Sequence, residues 1–217
     1  MKNEFIFKRN EVLAKDVIDA LIKRNFDAFY CEDIKSANEK ILELISKEDV
    51  VSFGGSTTLD EIGIKNILYD KGYKIIDRDK AKSTREKQEL TIKSLSCDTF
   101  LMSANAISKD GQIVNIDGLG NRVAALCFGP KKVIMVCSVN KIESDLDCAI
   151  KRARNYAAPI NAKRIDSINQ MNTPCILKGS CFDCKSETSI CSQILITRLS
   201  RPKGRINVIL VNEELGF

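Results

Sequence analysis

Apolar positions along the chain follow two patterns, one with helical spacing and one in short continuous runs. Leu13, Val17, Ala20 and Leu21 recur at helical spacing and predict an amphipathic helix over residues 12–24. Further helices are predicted from Ser36, over residues 84–95 and from residues 144–145 onward. Strands are predicted at the apolar runs 27–31, 50–53, 73–76, 99–103, 112–116, 132–137, 194–199 and 206–211.

Short apolar strands that alternate with helices are typical of an α/β fold. We therefore expect a mostly parallel, Rossmann-like sheet that is flanked by helices. The pattern is expected to form one domain over residues 1–217, with an N-terminal helical segment at about 1–47 and a cysteine loop at 174–192.

The first polar segment follows the predicted strand 50–53 and reads Gly54-Gly55-Ser56-Thr57-Thr58. The glycines allow a ligand to approach the backbone, and free N–H groups at a helix start suit a carboxylate or a phosphate. Thr58 and Glu61 have the spacing of a capping box, which predicts Thr58 as the N-cap of the next helix. A tight strand–helix turn without any ligand explains the same residues.

The second polar segment covers residues 103–126, where polar and turn-forming residues lie at predicted strand ends. Asn105, Asp117 and Asn121 offer hydrogen-bonding groups, and Arg122 can hold a carboxylate or phosphate through two parallel hydrogen bonds. Lys141, after a later strand, is a further candidate for anion binding. The alternatives are that these Asn and Asp residues only form turns, that Arg122 is a salt-bridge partner, and that Lys141 is solvated.

Four of the nine cysteines, Cys175, Cys181, Cys184 and Cys191, form the pattern C-x5-C-x2-C-x6-C in a segment with little apolar periodicity. Four thiolates from one short loop can surround a soft metal centre, which predicts either zinc or an iron–sulfur cluster. A disulfide pair is the alternative, and a reducing compartment disfavours it.

Composition excludes several classes of function. The chain has no histidine, so Ser-His-Asp and Cys-His catalysis are excluded and a metal site here must rely on sulfur. The net charge of +5 is spread out and lacks a nucleic-acid fold signature, so no nucleic-acid partner is expected. The first ten residues do not resemble a signal peptide and no apolar run approaches about 20 residues, so we expect a cytoplasmic protein without a membrane span.

Several motifs in order closely resemble the LUD family of the LutC type, which is named for lactate utilisation. The matching residues are Phe53-Gly54-Gly55-Ser56-Thr57, Ser103-Ala104-Asn105-Ala106, Asn115-Ile116-Asp117-Gly118, Asn121-Arg122, Phe128-Gly129-Pro130, Asn140-Lys141-Ile142, Ala157-Ala158-Pro159-Ile160-Asn161-Ala162 and Leu215-Gly216-Phe217. The resemblance implies a fold similar to the ribose-phosphate isomerase and CoA-transferase superfamily. It also implies a small anionic metabolite between the two polar segments and, by analogy of fold, a homodimer.

The same resemblance implies work alongside iron–sulfur subunits that oxidise lactate to pyruvate, without assigning a chemical step to this chain. Any enzymatic role would be part of an L-lactate-oxidising oxidoreductase system. The cysteine loop resembles that of a compact LUD subgroup, which favours a 4Fe–4S cluster over zinc. Asn105 stands where related isomerases carry an acid, so an isomerase mechanism is not transferred.

The predicted function is thus an accessory or redox subunit of iron–sulfur-dependent lactate oxidation that binds a small anion and a four-cysteine metal centre. Two alternatives remain open. The first is a non-catalytic, metabolite-binding regulatory module with a structural zinc. The second is an enzyme that acts on a CoA ester or a sugar phosphate through Asp117 or Glu61.

Overall fold

The computed structural model describes residues 4–167 and 171–217. Its strands are β1 Asp27–Cys31, β2 Val50–Phe53, β3 Lys74–Ile76, β4 Thr99–Met102, β5 Ala106–Ser108, β6 Ile113–Asp117, β7 Lys132–Ser138, β8 Ile142–Glu143, β9 Gln193–Thr197 and β10 Ile206–Val211. Its α-helices are α1 Glu4–Lys23, α2 Ile34–Leu44, α3 Thr57–Glu61, α4 Ile64–Asp70, α5 Thr84–Lys93, α6 Asn121–Cys127, α7 Leu146–Arg152, α8 Ala158–Asp166 and α9 Cys175–Lys178.

Six strands form the main sheet in the order β1-β10-β7-β4-β2-β3, and every neighbouring pair is parallel. Its interior strands are apolar on both faces, as expected when helices cover both sides of a parallel sheet. In β10, all six residues are buried. This arrangement confirms the predicted α/β fold with a mostly parallel, Rossmann-like sheet.

The four strands outside the main sheet form a second sheet in the order β8-β5-β6-β9. β6 is antiparallel to both β5 and β9, whereas β5 and β8 are parallel. The predicted strands did not include β5 or β8, which are three and two residues long and depend on pairing with their neighbours. The second sheet matters for the site because the cysteine loop leads directly into β9.

Helices pack on both faces of the main sheet. On one face, α1 buries Leu13, Val17 and Leu21 in a core cluster, which confirms the predicted helical periodicity, although α1 begins already at Glu4. On the other face, Ile41 of α2 and Leu68 of α4 join a second core cluster. Within the described residues, no helix is both long enough and apolar enough to cross a lipid bilayer.

The carboxyl ends of β2, β4 and β7 meet at one edge of the main sheet because these strands are parallel neighbours or near-neighbours. The chain leaves β2 at Gly54, leaves β4 at Ser103, and turns after β7 to reach Lys141. Open α/β sheets bind ligands at this kind of edge. The fold therefore brings the two predicted polar segments and Lys141 to one place.

Candidate functional site

A cavity of about 380 Å³, its open mouth included, lies at this edge of the sheet. Its walls come from the loop after β2, the loop after β4, the start of α6, the turn before β8, one face of α8 and the C-terminal segment. The residues that line it are Gly55, Ser56, Thr57, Thr58, Ser103, Ala104, Asn105, Arg122, Lys141, Asn161, Arg164 and Phe217.

The charged side chains that line this cavity are all basic. It contains three basic side chains, those of Arg122, Lys141 and Arg164, together with four hydroxyl groups and two amides, while none of the lining residues is Asp or Glu. A small cleft lined by one sign of charge concentrates the opposite charge. The cavity is therefore suited to a small anion.

Lys141 is a buried residue of the cavity wall, with a relative exposure of only 2%. Its Nζ donates to Thr58 Oγ1 at 2.9 Å, to Ser103 Oγ at 3.1 Å and to the carbonyl oxygen of Ala104 at 3.3 Å. Burial lowers the pKa of Lys141 to about 8, because a charged ammonium is poorly solvated there and its hydrogen-bond partners are neutral.

The start of α3 explains why Thr58 is available to Lys141. The predicted capping box of Thr58 and Glu61 is wrong, because the helix begins at Thr57 and its N-cap is Ser56, whose hydroxyl accepts from the N–H of Leu59 at 3.3 Å. Thr58 consequently lies inside the helix, and its Oγ1 is free to accept from Lys141. Glu61 instead accepts from the N–H of Gly216 at 2.6 Å, which holds the C-terminal segment at the cavity.

Arg122 is fixed by a buried ion pair. Its Nη2 lies 3.1 Å from Asp117 Oδ1 and also donates to the carbonyl oxygen of Ile116 at 2.9 Å. The other carboxylate oxygen of Asp117 accepts from the backbone N–H groups of Arg122 at 2.8 Å and Val123 at 3.3 Å. Both predicted roles of Arg122 are thus compatible, since it is a salt-bridge partner and its side chain also lines the cavity.

The glycine pair after β2 makes room for two arginine side chains. A Cβ at Gly54 would lie 3.1 Å from Cγ and Cδ of Arg122, and a Cβ at Gly55 would lie 3.2 Å from Nη2 of Arg78. The amide orientation that satisfies its neighbours lets Asn121 accept from Arg78 Nη1 at 2.7 Å. The glycines therefore serve the packing of arginines at this loop as well as the approach of a ligand.

Asn105 is held by the second sheet. Its Oδ1 accepts from the backbone N–H of Ile116 at 2.8 Å, and its carbonyl oxygen accepts from Arg152 Nη1 at 2.8 Å. The amide oxygen therefore has a structural partner, and the rest of the side chain contributes a polar wall to the cavity.

Seven of the ten predicted ligand-binding residues line the cavity. The other three lie outside the lining and contact, or make space for, arginine side chains at the loop after β2. The seven are Gly55, Ser56, Thr57, Thr58, Asn105, Arg122 and Lys141. Asp117 orients Arg122, Gly54 makes space for its stem, and Asn121 contacts Arg78. That these residues bind a ligand stays a prediction.

The predicted set did not include five lining residues: Ser103, Ala104, Asn161, Arg164 and Phe217. All except Arg164 belong to the family-like motifs quoted above. Asn161 and Arg164 come from α8, where Asn161 Oδ1 accepts from Nε and Nη2 of Arg164 at 3.1 and 2.9 Å. Their distance along the chain from the other lining residues explains why local pattern could not group them.

The four loop cysteines line a second cavity of about 570 Å³, its open mouth included. Arg154 Nη2 lies 3.7 Å from Cys181 Sγ and also pairs with Asp183 at 2.8 Å. Burial, together with the neighbouring thiols of Cys181, Cys175 and Cys184, raises the pKa of the Cys191 thiol to about 11. The loop thus brings the four sulfur-bearing side chains to one cavity.

The four thiols are not arranged like the ligands of a bound metal ion. In residues 4–167 and 171–217, no three His, Cys, Asp or Glu side chains form a group that could hold a metal ion as they stand. All nine cysteines are free thiols, so the loop contains no disulfide. The donor type suits zinc or an iron–sulfur cluster, and binding either would require the thiols to turn towards one another.

Helix α8 separates the two cavities. Asn161 and Arg164 line the cavity around Lys141, which we call the anion cavity. Ala158, Pro159 and Ala162 line the second cavity, which contains the four loop cysteines. The cysteine loop also packs against the loop after β6, where a Cβ at Gly118 would lie 3.1 Å from Cα of Ile190. The two candidate sites are therefore structural neighbours.

Comparison with protein-family models gives a match to the LUD domain over residues 14–211, which is most of the chain. The chain belongs to the LUD domain family. This LUD protein is also similar in fold to a DUF162 family protein from Deinococcus radiodurans, with a TM-score of 0.52 and 10% sequence identity. The similarity covers 94% of this chain and 98% of the other. A comparison with curated protein sequences gave no significant match.

Proposed function

We propose that this LUD protein binds a small organic anion in the cavity around Lys141 and serves as an accessory or redox subunit of lactate oxidation in the cytoplasm. The observation that carries the proposal is the lining of the cavity, where three basic side chains meet hydroxyl and amide groups without an acidic residue among them. Of the three, Arg122 is neutralised by Asp117, so Lys141 and Arg164 supply the charge for the ligand. A carboxylate such as lactate or pyruvate suits this site.

An independent enzyme that uses Asp117 or Glu61 is less well supported. Asp117 accepts hydrogen bonds from backbone N–H groups and from Arg122, which occupy its oxygens. Glu61 accepts from the N–H of Gly216. Neither carboxylate belongs to the lining of the cavity, so neither is placed as a general base for a ligand there.

The cysteine loop supports a second part of the proposal, a four-thiolate metal centre on Cys175, Cys181, Cys184 and Cys191. Their side chains share one cavity and no disulfide competes for them. An iron–sulfur cluster at this place would supply electron transfer next to the anion cavity, and it is the centre expected for a partner of iron–sulfur lactate-oxidation subunits. Zinc, the alternative, would make the loop structural.

Anion binding can be measured by calorimetry at pH 7 with lactate, pyruvate and inorganic phosphate. We expect at least one of them to bind, and we expect Lys141→Met to weaken that binding by about 10- to 100-fold, because a charge-assisted hydrogen bond contributes about 1.5–3 kcal/mol. Lys151→Met, which removes an exposed lysine outside the cavity, is the control and should bind like the wild type. Equal affinity in wild type and Lys141→Met would contradict the assigned site.

The metal centre can be tested by purification without oxygen and by elemental analysis. An iron–sulfur cluster predicts a brown, oxygen-sensitive protein with visible absorbance, and Cys184→Ser should lose the iron and the colour. Cys127→Ser removes an exposed cysteine that lies outside the loop and should retain both. A colourless protein with one zinc per chain would contradict the redox role and favour a structural loop.

A further inference from the structure

We propose that Lys141 is a nucleophile that forms a reversible imine with the carbonyl carbon of a 2-oxo acid held in the anion cavity. This inference rests on the proposed function, since it takes the carboxylate of the ligand to be bound there. It goes further by naming the ligand class and by giving the buried amine a chemical role.

The surroundings of Nζ are unusual for a lysine that only holds a structure together. Its three hydrogen-bond partners are two hydroxyl groups and one carbonyl oxygen, and in the part of the chain that the structure describes no carboxylate lies within 4.0 Å of it. A buried ammonium without a counter-ion is costly, so burial lowers the pKa of Lys141 and raises the fraction of neutral amine. With a pKa of about 8, roughly a tenth of Lys141 is neutral at pH 7. A desolvated lysine of this kind is a typical activated nucleophile.

The cavity provides the other parts that imine formation needs. Arg164 lines the same space as Nζ and supplies a charge that can hold a carboxylate, which would place the adjacent carbonyl carbon of a 2-oxo acid inside the cavity. Thr58 Oγ1 and Ser103 Oγ lie 2.9 and 3.1 Å from Nζ, and each hydroxyl can accept a proton from nitrogen and donate one to oxygen. The backbone at Gly216 closes over the amine, since a Cβ there would lie 3.1 Å from Nζ.

The step balances without any further reactant. The Nζ lone pair attacks the carbonyl carbon, a C–N bond forms, and the C=O π pair moves to oxygen. The oxygen takes up a proton that nitrogen releases through Ser103 or Thr58. The resulting carbinolamine then loses its oxygen as water, and the C=N bond forms. One amine and one ketone thus give one imine and one water, with no change of oxidation state.

Reductive trapping tests the proposal. The full chain is incubated with pyruvate and sodium borohydride, digested and analysed by mass spectrometry. We expect one dominant modification, on the peptide that contains Lys141, with a gain of one pyruvate less one oxygen atom. Lactate has the same carboxylate without the carbonyl, so it should give no adduct. Lys141→Arg has no nucleophilic amine, so it should form no adduct at residue 141.

Calorimetry with pyruvate alone, without borohydride, separates this inference from the proposed function. Pyruvate binding without an adduct at Lys141 would overturn the imine and leave the anion site intact. No adduct, with no binding of pyruvate, lactate or phosphate, would overturn both. Adducts spread evenly over surface lysines, at the same level in Lys141→Arg, would also overturn the imine. A trapped adduct at Lys141 that Lys151→Met retains would support it.

Discussion

Arg122→Met is expected to lower the free energy of unfolding by about 3 kcal/mol, because it leaves the Asp117 carboxylate buried without its charged partner. In a chain of this length that corresponds to a fall in Tm of about 6–12 °C. Backbone N–H groups at Gly118 and Val123 still donate to Asp117, which keeps the loss at the lower end of the range for a broken buried pair. Denaturant unfolding followed by circular dichroism measures the change.

Two variants make this test specific. Arg85→Met removes an arginine whose side chain is 90% exposed and which pairs with Glu89 along α5, so it should cost less than 0.5 kcal/mol or so. The double variant Asp117→Asn with Arg122→Met removes both charges and should recover part of the loss, which a double-mutant cycle quantifies. If Arg122→Met cost no more than Arg85→Met, the pair would not be the element that fixes this loop.

The stability difference between wild type and Lys141→Met is expected to depend strongly on pH. The folded state lowers the pKa of Lys141 from 10.5 to about 8, so between these values the unfolded chain binds more protons than the folded one. The wild type therefore gains stability relative to the variant as pH rises through this window, by about 3 kcal/mol in total. Below pH 8 the ammonium is charged in both states, and its full burial cost is present in the wild type alone.

Unfolding by denaturant at several pH values between about 7 and 10 gives this difference. The pH dependence of the wild type has to be compared with that of Lys141→Met because other groups also titrate. Buried cysteines, such as Cys97 with its pKa raised to about 12, change stability in the opposite direction over part of the same range. Lys141→Arg places a permanently charged group at the same position and should also lack the lysine's titration. Parallel pH curves for wild type and Lys141→Met would show that burial does not perturb this lysine.

The N-cap of α3 differs from the one that the local pattern predicts. Thr58 and Glu61 have the spacing of a capping box, yet Ser56 caps the helix. Capping depends on which residue adopts an extended backbone next to the first helical turn, and the departure of the chain from β2 decides this. The shift has a functional consequence, since it places Thr58 Oγ1 beside Lys141.

Much of the fold was determined by the sequence alone, because period and run length are local properties. The strands Asp27–Cys31, Val50–Phe53 and Ile206–Val211 have the predicted bounds, and the alternation of helices with strands predicted a parallel sheet. Turn-forming and basic residues at strand ends predicted seven of the cavity's lining residues for the same reason. The cysteine spacing predicted a four-thiolate metal centre, which stays a prediction.

Only the tertiary structure decided what these residues meet. The order β1-β10-β7-β4-β2-β3 places Lys141 next to Thr58, which is 83 residues away, and buries it where its charge is poorly solvated. It also brings Arg164 of α8 to the same cavity. Burial and long-range neighbours follow from which strands pair and where the chain crosses over the sheet. No short stretch of residues contains that information, so neither the pKa of Lys141 nor the two faces of α8 could be predicted from local pattern.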